Sequence, residues 1–386
     1  MQDLFQTRVF AAIDQAAVGS GGQAVLLKIL FALADGNVQA ALILPPGSDI
    51  IGPAERAGHT FWSGIIRRDL SSLSASAALV SQVCAATRLV RHLFHKDLPV
   101  VLYCNGPRTY VLGALARLAL WRHVTLVWHV HSILTSHSTF YRILGRVVGA
   151  RCLFVSNVAA SAIGLPGQTV YNGVPVMSPR SAIFRKPETT FLILGQIARW
   201  KRIDLILRAF ARMSAQVAPS RVVICGDVRI RTADSLAYKQ ELLNLCGDLH
   251  ISEVTTWLDW QDDVQEVIES ADVVVLGAAD EAFSLVAAEG LMLERVVVCV
   301  EGSGPSEFIA NGQNGFTFPP DDEESLASLL TVLATRTDAV ARVAKNGRLT
   351  ALSGLTNEQW LRRWAKAMTE ILLDSKDKPN YMSASR

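Results

Sequence analysis

Short apolar runs alternate with helical periodicities along most of this 386-residue chain. Val38–Leu44, Pro99–Tyr103, Val124–His129 and Cys152–Val155 read as strands in the first half. Thr190–Leu194, Arg221–Cys225, Val254–Leu258, Asp272–Leu276 and Arg295–Val300 read as strands in the second. Most are apolar at nearly every position rather than at every other one. A strand has that pattern when helices cover both faces of its sheet, as in parallel α/β folds. Helical spacing intervenes at Gly22–Ala34, Thr109–Ala119, Ile203–Met213, Ser284–Leu293 and Ser325–Ala334. Strand–helix alternation on this scale predicts doubly wound α/β units. Val174–Thr189 carries three prolines and no period, which marks a linker between two of them. The length agrees, at about 100–200 residues per domain.

Composition narrows the picture. Half the residues are hydrophobic and 19% are charged, which excludes global disorder. The best apolar run, Ala24–Ala34, is broken by Lys28, so no membrane-spanning helix is expected. The opening MQDLFQTRVF has no basic stretch followed by an apolar one, so no signal peptide is expected. The six cysteines (Cys84, Cys104, Cys152, Cys225, Cys246 and Cys299) lie singly, as free thiols in a reducing cytoplasm do.

The net charge of +2 hides an asymmetry. Residues 1–180 hold 15 Lys/Arg against 7 Asp/Glu, while the remainder holds 22 against 28. A basic first half suits a phosphate-bearing substrate or an acidic membrane surface. Two oppositely charged domains facing each other would show the same asymmetry. Nucleic acid is disfavoured, because no aromatic-interleaved basic motif or zinc module occurs.

Three stretches could carry chemistry. Gly19-Ser20-Gly21-Gly22-Gln23 precedes an apolar helix, where glycines and free N–H groups suit an anion, although a flexible turn has the same composition. GQIARWKR, Gly195–Arg202, follows the strand FLIL and gathers Arg199, Lys201 and Arg202 in one loop. Ligands of open α/β sheets bind at such strand ends, and three cations suit a diphosphate; the plain alternative is a solvated basic loop. In ADVVVLGAADEAFSLVAAEGLML, Glu281 lies in a loop and Glu289 on the following helix. Ser284 can cap that helix and leave the N–H groups of Leu285 and Val286 free. Two carboxylates there can grip ligand hydroxyls, and the apolar neighbours of Glu289 argue against a merely solvated side chain. His129 and His131 share one strand face, but no third metal ligand accompanies them. Gly302–Glu307 forms another backbone-rich loop after the strand RVVVCV.

Taken in order, these segments resemble the retaining glycosyltransferases of family 4. Gly195–Lys201 is similar to the family's glycine-arginine strand end with a lysine six positions on; VVICGD (Val222–Asp227) is similar to its second strand and loop. EAFSLVAAE (Glu281–Glu289) resembles its E-x7-E motif, and Glu301–Asp322 its last glycine-rich stretch. Gly21-Gly22, His131 and VYNGV match more loosely. The chain departs from the pattern at Gln196 (usually Arg), Ala282 (usually Pro), Ser284 (usually Gly) and Gly290 (usually Ala).

The resemblance implies a GT-B fold, two Rossmann-like doubly wound domains facing each other across a cleft. The expected division is an acceptor-binding domain over 1–178, a linker over 179–189 and a nucleotide-sugar-binding domain over 190–355. A helix over 356–373 is expected to pack back toward the first domain, followed by a polar tail over 374–386. The implied donor is a nucleotide-diphosphate sugar, with no obligatory cofactor or metal; no DxD motif occurs. Lys201, with Arg199 substituting for the arginine that Gln196 replaces, would neutralise the diphosphate, and Gln196 would lie in the donor site. Gly21, Gly22, Gly195, Ser284, Leu285 and Val286 would line the donor site. Glu289 would bind the ribose, Glu281 the sugar hydroxyls, and His131 the sugar near its reacting carbon. Arg88–Lys96, Arg117–His123 and Phe140–Arg151 are basic stretches that would let a cytoplasmic enzyme sit on the inner membrane face and meet a lipid-linked saccharide, in surface polysaccharide or lipopolysaccharide assembly. A nucleotide-sugar 2-epimerase of the same architecture and a catalytically silent transferase-like partner module are the alternatives.

Overall fold

The computed structural model describes residues 8–14, 21–67, 74–94, 98–120, 123–135, 137–184, 188–214, 219–228, 233–261, 263–335 and 338–374. The chain divides into two compact units, residues 1–171 with 361–386, and residues 172–360.

The first unit is built on strands β1 (Val9–Ile13), β2 (Ala40–Ile43), β3 (Thr60–Phe61), β4 (Val100–Asn105), β5 (Val124–Val130), β6 (Arg151–Phe154) and β7 (Gly167–Thr169). Its helices are α1 (Gly21–Asp35), α2 (Ile51–Arg56), α3 (Ala75–Phe94), α4 (Tyr110–Leu120), α5 (Ser138–Val148) and α6 (Asn157–Ile163). The strands pair in parallel in the order β3-β2-β1-β4-β5-β6-β7. The VVLYCN strand β4 is buried throughout, as a central parallel strand must be. Trp128 of β5 stacks on Tyr110 of α4, with ring centroids 4.4 Å apart, and ties helix to sheet.

The second unit carries β8 (Thr189–Leu194), β9 (Ser220–Cys225), β10 (Thr255–Leu258), β11 (Val273–Val275), β12 (Val296–Val300) and β13 (Phe316–Phe318). Between and after them run α7 (Ile203–Ser214), α8 (Ala233–Asp248), α9 (Val264–Glu269), α10 (Leu285–Met292), α11 (Glu323–Ala334) and α12 (Asp338–Gly354). These strands are also parallel, in the order β10-β9-β8-β11-β12-β13. That is the 3-2-1-4-5-6 order of a dinucleotide-binding sheet. The last helix, α13 (Asn357–Asp374), begins in the second unit and counts with the first from Leu361 onward. Its Trp364 is buried and donates from Nε1 to the Tyr103 hydroxyl at 3.2 Å.

All nine strands read from the periodicity are present, with ends shifted by a few residues. β1 is an addition. VFAAI is short, and its two alanines interrupt the β-branched and aromatic residues; pairing with β2 and β4 makes it central. The helices α3, α5, α8 and α12 were also absent from that reading. α5 turns Phe140, Ile143 and Val147 outward, 50%, 58% and 61% exposed, so its apolar stripe does not report on the core.

The irregular stretch after Tyr171 is anchored to the second unit. Val174 bridges Thr356, and Arg348 donates to the Met177 carbonyl at 2.7 Å. The buried Arg295 donates to the carbonyl and hydroxyl oxygens of Ser181 at 2.7 and 2.9 Å. The Asp272 carboxylate accepts from the N–H groups of Phe184 and Thr190. Most backbone groups in irregular chain need partners when burial removes water, and these side chains supply them.

Candidate functional site

In each sheet the strand order reverses once, and the chains leaving the two strands at that point diverge to leave a crevice. In the second unit the reversal lies between β8 and β11. Gly195 and Gln196 at the end of β8, Leu276–Ala278 beyond β11, Lys201 and Glu281 line an open recess there. Apolar side chains of Ile193, Ile203 and Val275 form its floor.

The backbone at this point is packed closely enough to need glycine. Gly195 sits at φ +133°, and a β-carbon on Gly226 would lie 1.8 Å from the Gly195 carbonyl oxygen. On the opposite side a β-carbon on Gly304 would lie 1.9 Å from the Ala282 carbonyl oxygen. The Gly304 N–H donates to the Glu281 carbonyl at 2.7 Å, so the glycine-rich loop after β12 holds the Glu281 loop by its main chain.

Lys201 ends a tight turn over Arg199–Lys201, and its Nζ meets Glu281 Oε2 at 2.5 Å. The two side chains are only 22% and 13% exposed. The Trp200 ring lies 4.2 Å from the same ammonium. An ion pair with that much burial is held more tightly than a surface pair, because water screens it less. The pair offers both a cation for a phosphate and a carboxylate for hydroxyls in one recess.

The other cations of this loop are engaged elsewhere. Arg199 makes a two-pronged contact with Glu241 at 2.7 and 2.8 Å and a third bond to Asp234 at 2.9 Å, both on α8. Hydrogen bonds donated to Glu241 first, then to Asp234, keep its guanidinium charged, and in return Arg199 lowers the Glu241 carboxyl. Arg202, at φ +51°, pairs with Asp321 and lies 3.7 Å from Asp204. Three cations adjacent in sequence therefore diverge, and Lys201 alone among them lines the recess.

Ser284 caps α10 by accepting from the Ala287 N–H at 3.2 Å. It does so at φ +64°, a conformation that favours glycine, the residue the resemblance expects there. Leu285 and Val286 form the first turn of α10, and Glu289 stands half-buried in its second. None of these four residues lines the recess itself.

The first unit has a counterpart at its own reversal, between β1 and β4. Asp14 follows β1, Asn105 ends β4 and His131 follows β5. The Asn105 amide nitrogen donates to Asp14 Oδ2 at 2.7 Å and to the Gly22 carbonyl at 3.2 Å, while its oxygen lies 2.8 Å from His131 Nε2. Gly22, in the first turn of α1, brings its backbone against the His131 ring, where a β-carbon would sit 3.4 Å from two ring carbons. Gly21 opens the same helix; Gly19 and Ser20 lie outside the described residues. Burial pushes the His131 imidazole down to about 3, and burial followed by the neighbouring His131 lowers His129 well below its usual range. The His129 ring is 3.9 Å from that of His131, and its Nδ1 meets the Tyr103 hydroxyl at 2.6 Å. No cluster of three or more metal-ligating side chains occurs among the described residues.

Asp14 and Asn105 went unnoticed in the sequence. Both had a usable signal, a single polar residue closing the apolar runs FAAI and VVLYC at the ligand-binding ends of their strands. Gly304 belongs to the backbone-rich loop that the sequence does single out, and the structure adds its contact with the Glu281 loop.

Comparison with known proteins bears on the segment that holds the Lys201–Glu281 recess. Residues 178–350 match the family model of the glycosyl transferases group 1. A D-inositol 3-phosphate glycosyltransferase of Stackebrandtia nassauensis is 31% identical over 156 residues, covering 39% of this chain and 34% of that protein. A lipopolysaccharide core biosynthesis glycosyltransferase, LpsE of Rhizobium meliloti, is 26% identical over 120 residues, 31% of this chain and 35% of its own. The match thus spans about a third of the length of these curated relatives.

In fold the likeness is wider than the glycosyl transferases group 1 segment. HepE of Anabaena, solved in complex with UDP, superposes with a TM-score of 0.76 at 18% identity, covering 94% of this chain and all of that one (100%). A glycosyltransferase from Rickettsia africae gives 0.75 at 14% identity, over 97% and 100%. The two units, each with one parallel sheet, therefore have the Rossmann-like architecture of GT-B glycosyltransferases. The relatives named here are transferases, which favours that class over the epimerase.

Proposed function

We propose that this protein is a retaining glycosyltransferase of family 4 that moves a sugar from a nucleotide-diphosphate sugar to a saccharide or lipid-linked saccharide. The observation that carries the reading is the Lys201–Glu281 pair beside the close-packed glycines of β8 and β9, within the segment matched to the glycosyl transferases group 1. Lys201 neutralises the diphosphate. Charge accumulates on the phosphate oxygen as the sugar C1–O bond breaks, so a fixed cation stabilises the transition state more than the bound donor. The acceptor oxygen bonds to C1 from the same face, and its proton passes to the leaving phosphate oxygen. Glu281 holds sugar hydroxyls, Glu289 the nucleotide ribose, and His131 a donor-sugar hydroxyl. The N–H groups of Gly21, Gly22, Leu285 and Val286 add anion-binding donors at two helix starts, and Gly195 and Gln196 line the nucleotide side.

Lys201 has a carboxylate partner in Glu281, so a diphosphate competes with Glu281 or shares the ammonium with it. Arg199 serves the site by bracing the turn that carries Lys201 against α8.

Calorimetric titration with UDP, GDP, ADP and dTDP tests the reading. One diphosphate is expected to bind with clear preference, UDP being the first to try because HepE carries it. Glu289→Ala should weaken that binding by about tenfold, the loss of roughly one charged hydrogen bond. Failure of well-folded protein to bind any of the four rejects the transferase reading in favour of the silent module.

The acceptor reading draws on the first unit, which we place at the inner face of the plasma membrane. From residue 98 to residue 187 the chain contains no Asp or Glu and nine Lys/Arg. On α5 the exposed Phe140, Ile143 and Val147 are interleaved with Arg142 and Arg146. Apolar side chains that enter a lipid interface beside arginines that meet anionic headgroups give salt-sensitive surface binding. No helix among the described residues is long and apolar enough to cross a membrane. Co-sedimentation with anionic vesicles at low salt should capture the protein, and F140D/I143D should release most of it. Equal capture of the variant removes α5 from the interface. The expected setting is surface polysaccharide or lipopolysaccharide assembly.

A further inference from the structure

We propose that Asp14 and Asn105 lock His131 in a single tautomer, with its proton on Nε2, so that the ring meets a substrate hydroxyl only as an acceptor through Nδ1.

The amide of Asn105 could in principle point either way. Its partners decide. One end of the amide lies 2.7 Å from a carboxylate oxygen of Asp14 and 3.2 Å from the Gly22 carbonyl. Both partners accept hydrogen bonds, so this end must be the NH₂ group, and both of its hydrogens are used there. The carbonyl end is then turned to His131 Nε2 at 2.8 Å. A carbonyl oxygen cannot donate. Nε2 must carry the hydrogen, which leaves a lone pair on Nδ1 of a neutral ring.

The surroundings keep the ring neutral. The Asp14 carboxylate bonds to the amide of Asn105, which in turn bonds to the ring. The His129 ring, 3.9 Å away, is itself held uncharged by burial. Behind it the Tyr103 hydroxyl accepts from Trp364 Nε1 and shares a hydrogen bond with His129 Nδ1. The start of α1 at Gly22 presents the positive end of a helix, which opposes a second positive charge. Nothing among these groups offers His131 a full negative charge at contact distance.

Asp14 thus acts as a positioning residue at one remove. It fixes the amide, and the amide fixes the ring. The consequence for recognition is directional: a hydroxyl that donates is accepted, and an ether or fluorine at the same position finds two acceptors facing each other. That the hydroxyl belongs to a donor sugar rests on the function proposed above; the tautomer does not.

The test reads the ring in the ligand-free full chain, so its failure is distinct from failure of the transferase reading. In nitrogen-detected NMR of histidine-labelled protein, with His131 assigned from H131Q, we expect a protonated Nε2 and a bare Nδ1, unchanged between about pH 5 and 8. Asp14→Asn removes the obligatory acceptor, lets Asn105 turn over, and should bring in the Nδ1-protonated form. Asn105→Asp puts a carboxylate against Nε2, which favours the charged ring; His131 should then titrate within that pH window. Cooperative melting of each variant checks folding, and the second variant serves if the first does not fold. A proton on Nδ1 in the wild type, averaging between the two forms, or titration of wild-type His131 across the window overturns the proposal.

Discussion

Replacing Lys201 by alanine is expected to lower turnover by about a hundredfold or more at saturating donor, the effect of deleting one preorganised partner of a developing charge. The expectation follows from the recess. Lys201 is the one cation of its loop that lines it, while Arg199 and Arg202 are held by Glu241, Asp234 and Asp321. No neighbouring arginine can swing in without abandoning its own carboxylates. The variant also strands Glu281, 13% exposed, without its partner. A half-buried carboxylate left without its partner is costly, so the double variant K201A/E281Q should fold no less well than K201A and be no more active. Steady-state kinetics with a saturating nucleotide sugar and a melting curve for each protein separate the two effects. Near-normal turnover of K201A removes Lys201 from the chemistry.

The second large effect is expected at a residue with no side chain. Gly304→Ala places a β-carbon 1.9 Å from the Ala282 carbonyl oxygen and 2.8 Å from that of Glu281. The obstacle is main chain, not the end of a flexible side chain, so the Glu281 loop has to move by about an ångström. Displacement on that scale costs about a hundredfold in a positioned reaction, and overpacking a tight contact costs about 1–3 kcal/mol of stability. G304A should therefore show both a lower melting temperature and a turnover loss exceeding what its unfolded fraction explains. Full activity in a folded G304A would mean that the loop's position is unimportant to the reaction.

These two residues illustrate what the sequence discloses. Lys201 and Glu281 stand out in one dimension, because a cation after a strand and a carboxylate before a capped helix are conspicuous. The structure brings them to 2.5 Å. Their neighbours were less legible. The partners of Arg199 lie 35 and 42 positions away on α8, a helix without a strong apolar stripe, and only the folded chain shows that its charge is already engaged. Strands β8, β9, β11 and β12 were readable because burial on both faces leaves continuous Val and Ile runs. β1 was not, because its alanines gain their place from the strands on either side. Gly304 is one glycine among 26 until the carbonyl it abuts is known.

The route of α13 sets an order of events at the ribosome. The first unit contains residues up to 171 and then resumes at 361. During synthesis its sheet strands emerge first, yet Trp364, Met368 and Leu372, all buried, are made only after the whole second unit. Until then Tyr103 has no indole beside it, and the apolar surface that these residues cover stays wet. The first half to be translated is thus the last to be sealed, and a truncation before residue 361 would leave that surface permanently open to chaperones and proteases.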